Sequence, residues 1–191
     1  LPESVTEIGS QAFWKCSNLE RIKVNENNKV YDSRENCNAI IEKSRNVLIV
    51  GCKNTKVPES VTKIGQSAFE DCSGLTSITL PESVTKIGVD AFRCCSGLTS
   101  ITLPESVTEI GEFAFSECKA LTNITLPKSV MKIGLGAFSS CDNLESIKVD
   151  KNNKTYDSGE NCNAIIEKSS SALIVGCKNT EVPSGVTQIG E

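Results

Sequence analysis

The feature that most constrains this chain is a repeat of 23 residues. Prolines at positions 58, 81, 104 and 127 follow one another at that interval, and LPESVTKIGVDAFRCCSGLTSITL, from Leu80 to Leu103, shows one full period. Self-similarity at a fixed period predicts that each repeat is one structural unit, which buries its apolar side chains against its neighbours. We therefore expect a solenoid of stacked coils rather than a globule around one central core.

Each repeat divides into three arms with different patterns. Residues 75–80, LTSITL, have apolar residues at the first, fourth and sixth places, which at this period indicates the strand of a leucine-rich repeat. Pro81 cannot donate to a strand ladder, so the strand ends there. Residues 84–88, VTKIG, predict a short extended segment that bends at its glycine. Residues 91–95, AFRCC, have apolar residues at helical spacing and predict about one turn of helix.

Together these arms predict an α/β solenoid. We expect a right-handed leucine-rich repeat with a parallel concave β-sheet, and with short extended segments and short helices on its other sides. Seven sheet strands are expected, and they end at Val24, Val57, Leu80, Leu103, Leu126, Val149 and Val182. The recurring Ala-Phe pair predicts a continuous stack of buried rings along one edge, formed by Phe13, Phe69, Phe92, Phe115 and Phe138.

Two near-identical inserts break the period. They span residues 25–57 and 150–182, lie 125 residues apart, and each contains two β-prone runs around a polar turn, which predicts a β-hairpin. Pairing about that turn brings two cysteines of each insert face to face, within disulfide reach. These candidate pairs are Cys37 with Cys52 and Cys162 with Cys177. Reduced thiols packed inside each hairpin fit the same pattern.

Other insert and repeat positions leave alternatives open. Tyr31 and Tyr156 either offer a contact to a partner or seat the hairpins on the solenoid. The cysteines that recur once in each repeat are expected to be buried thiols, because cysteine is often a small buried apolar residue. Cys94 has no such counterpart, and is either an exposed thiol that pairs between molecules or a tolerated variant.

The two ends of the chain fall inside the repeat pattern. We expect a single solenoid over residues 1–191. It opens at Leu1-Pro2, within a repeat, and closes at Gly190-Glu191, before the next Ala-Phe pair. Terminal repeats of solenoids normally carry polar caps, so the sequence indicates a fragment of a longer array.

The consensus LPxSVTxIGxxAFxxCSxLTSIT resembles the BspA-like leucine-rich repeat family over essentially the whole chain. The inserts, with YDSxENCNAIIE and LIVGCKNT, are similar to the longer repeats of its gut-bacterial members. This resemblance implies a surface or secreted bacterial protein, whose repeats are associated with adhesion and with binding of host or neighbouring-cell proteins. It brings no catalytic motif.

The residue types argue against several classes of function. The chain has no histidine, which removes Ser-His-Asp and Cys-His arrangements and the commonest transition-metal ligand. It has no phosphate-binding glycine motif and no C-x-x-C pair. A net charge of -4 without a basic patch argues against nucleic acid, and the apolar runs are too short to span a membrane. We expect no enzyme, no metal, no cofactor and no nucleic-acid partner.

The outward positions of the predicted strands form the candidate binding face, since repeat solenoids bind along such surfaces. Its residues are Arg21, Lys23, Asn54, Lys56, Ser77, Thr79, Ser100, Thr102, Asn123, Thr125, Ser146, Lys148, Asn179 and Glu181. Two functions fit this face. One is an extracellular protein-recognition or adhesion module on a bacterial surface. The other is a purely structural spacer or surface coat, because small hydroxyl groups also cover plain solvated sheets.

Overall fold

The computed structural model describes residues 1–9, 12–159 and 162–190. Within them the chain forms stacked coils built from short strands. The strands in chain order are β1 (Tyr31–Asp32), β2 (Ile40–Glu42), β3 (Val47–Val50), β4 (Lys63–Ile64), β5 (Ser77–Thr79), β6 (Lys86–Ile87), β7 (Ser100–Thr102), β8 (Glu109–Ile110), β9 (Asn123–Leu126), β10 (Lys132–Ile133), β11 (Ser146–Val149), β12 (Tyr156–Asp157), β13 (Ile165–Glu167), β14 (Ala172–Val175) and β15 (Gln188–Ile189).

The first arm of the repeat supplies the face strands β5, β7, β9 and β11. As predicted, they run parallel, with β5 beside β7 and β9 beside β11, and equivalent residues of successive coils lie opposite each other. Their isoleucines are buried and their flanking Ser, Thr and Asn side chains point outward. The predicted number of seven such strands is wrong, because the described segments ending at Val24, Val57 and Val182 form no strand. In the first insert the reason is visible, since Val24 N donates to Ser33 Oγ and Lys56 N donates to Cys37 O.

The second arm forms a larger sheet than the sequence indicated, here called the flank sheet. Its strand order is β1-β2-β3-β4-β6-β8-β10. The last four strands come from the V-T-x-I-G arm and run parallel. The predicted hairpin is present as β2 and β3, and β3 extends the flank sheet by pairing in parallel with β4. The second insert repeats this arrangement in the order β12-β13-β14-β15.

The third arm, with the Ala-Phe pair, is not the predicted helix. Two of its residues in each regular coil have left-handed backbones, such as Ser67 and Asp71, which an α-helix excludes. Its N–H groups alternate between two uses. Those of Ser67, Phe69 and Asp71 donate to the next coil at 2.8–2.9 Å, and those between them close turns within their own coil. The helix in the described residues is a 3-10 turn, Arg34–Asn36, and no helix there is long and apolar enough to cross a membrane.

The predicted stack of phenylalanines is confirmed for four of its five members. Phe69, Phe92, Phe115 and Phe138 are buried, and their neighbouring ring centroids are 5.0–5.3 Å apart with nearly parallel planes. Phe13 lies outside this stack, half-buried in a separate cluster with insert residues. The stack therefore ends at the first insert.

A glycine takes the place of the aromatic ring in the insert coil. Gly51 N donates to Ala68 O at 2.7 Å, as Phe69 N donates to Ala91 O in the next coil. Gly51 thus has the register position of a phenylalanine. A Cβ atom there would lie 2.0 Å from Phe69 Cε1, so only glycine fits against this ring.

Buried polar side chains seat each hairpin on the coil before it. The Asn153 amide nitrogen donates to Pro127 O and Val130 O, and its amide oxygen accepts from the N–H groups of Thr155 and Tyr156. Asn28 makes the equivalent contacts in the first insert. Tyr31 and Tyr156 are buried beside them. Of the two predicted roles for these tyrosines, the structure supports the seating of the hairpin.

Candidate binding face and cysteine sites

Hydroxyl groups have two different uses in this fold. One set is structural, because Ser83 Oγ, Ser106 Oγ and Ser129 Oγ each donate to a carbonyl of the preceding coil at 2.6–2.7 Å. Threonines in other arms make similar bonds. The hydroxyls of the face strands differ, since those of Ser77, Thr79, Ser100, Thr102 and Thr125 make no hydrogen bond to the described residues, and all five side chains are exposed. They are free to meet a ligand.

The structure brings the central residues of the predicted face together in register. Ser77 lies beside Ser100 and Thr79 beside Thr102, and Thr125 lies beside Lys148. Asn123 is exposed and donates to Thr122 Oγ1, while Ser146 is partly covered. The two outer parts of the predicted face are exposed but do not belong to strands. They comprise Arg21, Lys23, Asn54, Lys56, Asn179 and Glu181.

The N-terminal end of this face contains a cavity. A cavity of about 410 Å³ is lined by Arg21, Lys23 and Asn54 together with insert residues that include Ser33 and Asn38. Asn54 Nδ2 donates to Glu20 O at 3.2 Å, which fixes one wall. The basic side chains thus lie beside a cavity that the first insert helps to form.

The repeated cysteines form a buried column, as predicted for the inner coils. The Cys95, Cys118 and Cys141 thiols donate to Phe69 O, Phe92 O and Phe115 O, at 3.1–3.2 Å. Burial raises the pKa of Cys72 and Cys141 to about 11, and it also raises the pKa of Cys95 and Cys118. Thiols held protonated in this way are poor nucleophiles. Cys16, at the same repeat position, is exposed.

Cys94 occupies a repeat position at which the backbone is left-handed, and its thiol is not activated. Its φ of 57° matches that of Lys15, Asp71, Glu117 and Ser140 in the other coils. The side chain is half-buried, and burial together with the carboxylates of Glu117 and Asp71 raises its pKa. The environment therefore disfavours the reactive thiolate.

All ten cysteines are free thiols in this structure. The register that suggested disulfides holds near the hairpin turn, where Glu42 faces Val47 and Ile41 faces Leu48, but a bulge then places Ile40 opposite Val50. Direct opposition therefore does not extend to Cys37 and Cys52, and the second hairpin has the same irregularity. The Cys37–Cys52 and Cys162–Cys177 disulfides stay predictions. Intact mass before and after reduction, which differs by two hydrogens for each bond, tests them.

The described residues contain no group of three or more Cys, Asp and Glu side chains placed to hold a metal ion. The acidic and basic side chains occur in surface pairs, such as Lys86 with Glu109 at 2.9 Å and Lys53 with Glu20 at 2.5 Å. Exposed pairs of this kind contribute little to stability.

Comparisons with known proteins agree with this architecture. The chain is similar to the solved structure of the pneumococcal vaccine antigen PcpA, with 26% identity, a TM-score of 0.69, and coverage of 80% of this chain and 38% of that one. It is also similar to a leucine-rich repeat protein from Eubacterium ventriosum, with 28% identity, a TM-score of 0.56, and coverage of 70% of this chain and 42% of that one. It thus spans less than half of either solved chain. No curated protein matches it.

The family assignment rests on the repeats themselves. A model of the BspA type leucine-rich repeat region, six copies long, matches residues 1–45 and 49–165. These ranges include the regular coils, most of the first insert and the first part of the second, so the match does not depend on one local motif. The chain belongs to the BspA-type leucine-rich repeat family.

Proposed function

We propose that this chain is a non-catalytic protein-recognition module of a bacterial surface protein, and that it binds its partner along the face strands. One observation carries the proposal. The hydroxyls of Ser77, Thr79, Ser100 and Thr102 are exposed and make no bond within the described chain. By contrast, hydroxyls outside the face strands, such as those of Ser83, Ser106 and Thr85, bond to the preceding coil. These four groups therefore have no evident role in holding the coils together.

The chemistry of the face suits a protein partner. Hydroxyl and amide groups can both donate and accept hydrogen bonds, so an ordered array of them fits polar groups of a second surface. Arg21 and Lys23, at the N-terminal end, add positive charge beside the cavity described above. The surface location is supported by membership of the family and by the similarity to a pneumococcal vaccine antigen.

The test is a capture experiment with two matched double variants. Ser100→Glu with Thr102→Glu adds two charges to the face, and Ser73→Glu with Ser96→Glu adds the same charge at exposed turns outside it. Immobilised wild-type chain is exposed to surface proteins of neighbouring or host cells. We expect the first double variant to lose the captured partner and the second to retain it. Equal capture by both would reject the face as the binding site.

The second candidate function is a structural spacer or coat with no specific ligand. The near-identity of the two inserts and the uniform Ser and Thr surface favour it. A spacer predicts no saturable capture at any site, even at high concentration of the chain. That result would replace the recognition proposal.

A further inference from the structure

The two inserts are near copies, but only the first contains arginine. Each position of the second insert lies 125 residues after its counterpart, so Gly159 stands in place of Arg34. A cavity of about 260 Å³ lies beside Gly159, and its walls include Asp157, Ser171 and Gly185. The first insert shows which group a cavity at this place receives.

The guanidinium of Arg34 is held by three side chains of the first half of the molecule. Arg34 Nε and Nη2 donate to the two carboxylate oxygens of Asp32, at 2.9 and 2.8 Å. Arg34 Nη1 donates to Asn46 Oδ1 at 3.0 Å and to Ser60 Oγ at 3.1 Å. The two residues that follow Arg34 supply none of these acceptors. This arrangement is specific for a guanidinium group, because an ammonium group cannot span the same acceptors.

The backbone that carries these acceptors is the same in the second insert. Asp157 pairs across the hairpin with Ile166, in the register of the first insert. Ser171 has a left-handed backbone with a φ of 55°, against 51° for its counterpart. Val186 N donates to Pro183 O at 3.1 Å, which closes the same turn as in the first insert. The acceptor frame is therefore retained, although the arginine is replaced.

The lysine that lines the cavity does not take the place of the arginine. Lys168 Nζ donates to Asn153 O at 2.7 Å. The first insert has the same lysine with the same contact, and its aspartate still binds the arginine. Asp157 is exposed and forms no ion pair with a base among the described residues. Its carboxylate is thus available to a second cation.

We propose that this cavity binds the guanidinium group of an arginine side chain of a partner polypeptide. The head group pairs with Asp157 through Nε and one Nη atom, and its other Nη atom donates to Ser171 Oγ. The aliphatic stem packs on Ile166, which is half-buried, whereas its counterpart in the first insert is fully buried. The cavity has room for one side chain, so it contributes a single specific contact to a larger interface.

This site is separate from the face strands. It lies on the second hairpin and on the turn that follows it, and it does not rest on the function proposed above. A short peptide can therefore test it without the partner protein, and the capture experiment and this titration can fail independently.

The probes are the acetylated and amidated peptides Gly-Arg-Gly and Gly-Lys-Gly, together with free arginine. They are titrated at constant ionic strength, because salt screens exposed charges, and the backbone amide resonances of Gly159 and Ser171 report on the cavity. We expect saturable shifts with a Kd on the order of 5 mM for the arginine peptide. The lysine peptide should bind at least about tenfold more weakly. Free arginine should bind no more tightly than the arginine peptide.

A matched pair of variants tests the carboxylate. Asp157→Asn keeps the side-chain oxygen that accepts from the N–H of Gly159 at 2.9 Å, but it removes the charge. It should weaken the arginine peptide at least about tenfold. Asp150→Asn is the control, since Asp150 accepts from the N–H of Asn152 in the same way and does not line the cavity. It should leave the Kd unchanged.

A second variant should strengthen binding. Ser171→Asn with Gly185→Ser restores the two acceptors that the first insert uses. Asparagine tolerates a left-handed backbone, and an added Cβ at Gly185 meets nothing within 4 Å. The double variant should bind the arginine peptide about tenfold more tightly and the lysine peptide no more tightly.

Three results would overturn the proposal. One is the absence of saturable shifts up to about 50 mM arginine peptide. Another is binding that does not distinguish arginine from lysine or that is unchanged by Asp157→Asn, which would indicate non-specific attraction between charges. The third is tighter binding of free arginine than of the peptide, which would make a small molecule the ligand in place of a polypeptide.

Discussion

A regular coil and an insert coil show which parts of the repeat are interchangeable. A regular coil bonds to its neighbours through all three arms, including the row of Phe N–H groups. The first insert coil keeps the flank sheet, through β3, but gives up the third arm and has Gly51 at the phenylalanine position. The stack therefore tolerates the loss of an arm where a glycine lets the next ring pack on bare backbone. The same loss leaves a cavity of about 290 Å³ beside Gly51.

The largest expected difference between the two kinds of coil is the loss of stability when one phenylalanine ring is removed from each. Phe92 is fully buried between Phe69 and Phe115, whereas Phe13 is half-buried beside the insert. Phe92→Ala should lower the free energy of unfolding by about 4 kcal/mol, because it removes contacts and leaves a cavity. Phe13→Ala should cost about half as much. Urea unfolding of the two variants measures both, and equal losses would contradict the separation of Phe13 from the stack.

The next effect concerns the polar group that joins the insert to the regular coil before it. Asn153→Ala removes four hydrogen bonds from a buried site and leaves carbonyl and N–H groups unpaired, so it should cost about 3 kcal/mol. Asn152, its exposed neighbour, makes no side-chain hydrogen bond to the described residues. Asn152→Ala should change stability by less than about 0.5 kcal/mol. Thermal unfolding distinguishes the two, and a small effect of Asn153→Ala would show that the hairpin seats by other contacts.

The two glycines at the phenylalanine position give a smaller, more local contrast. A Cβ at Gly51 would clash with the Phe69 ring, whereas one at Gly176 would meet only the Thr180 side chain at 3.3–3.7 Å. Gly51→Ala should therefore cost about 2 kcal/mol through overpacking, and Gly176→Ala less than about 0.5 kcal/mol. Chemical denaturation of the two variants measures both losses of stability. If both substitutions are tolerated, the ring can move away from the insert backbone.

The smallest expected effect is a dependence on pH that belongs to the regular coils. Burial raises the pKa of Cys72 and Cys141 from 9.0 to about 11. The folded state therefore holds these protons more tightly than the unfolded state, so their stabilisation is complete well below pH 9, begins to fall as the pH approaches 9 and is lost as the pH rises toward 11. Between pH 7 and pH 9 the pair should account for a loss of about 0.8 kcal/mol. Unfolding under reducing conditions should show that loss reduced in Cys72→Ala with Cys141→Ala; an unchanged slope would assign it to other groups.

The sequence was sufficient for the repeat, the parallel face strands, the buried phenylalanines and the hairpins, because each follows from side-chain periodicity. The sequence-based expectations were wrong where backbone conformation, rather than side-chain periodicity, determines the structure. The spacing of Ala91, Phe92 and Cys95 fits a helix, but left-handed residues such as Asp90 and the bonds between coils make that arm a series of turns. Val57 fits the strand pattern, but no strand forms there, because Lys56 N donates to Cys37 O of the insert.

The candidate sites also differ in how well the sequence predicts them. The central face residues could be read from strand alternation, since Ser77 and Thr79 simply follow the pleat. The cavity beside Gly51 could not, because it results from an arm that the insert shortens and because Phe13 N–H has no carbonyl partner among the described residues. Its one sequence signal was Gly51-Cys52, where a regular coil has six residues between its glycine and its cysteine. The buried Asn28 and Asn153 had a comparable signal, since both inserts have asparagine there.

The alternating N–H groups of the third arm have a spectroscopic consequence. Amide protons of Ser67, Phe69 and Asp71 are held by the neighbouring coil, and those of Ala68, Glu70 and Cys72 by their own. Undocking of a coil thus exposes every second amide to deuterium, whereas melting of that coil exposes them all. Residue-resolved hydrogen exchange can therefore measure the docking of one coil on the next separately from the folding of each coil, along a single stretch of backbone.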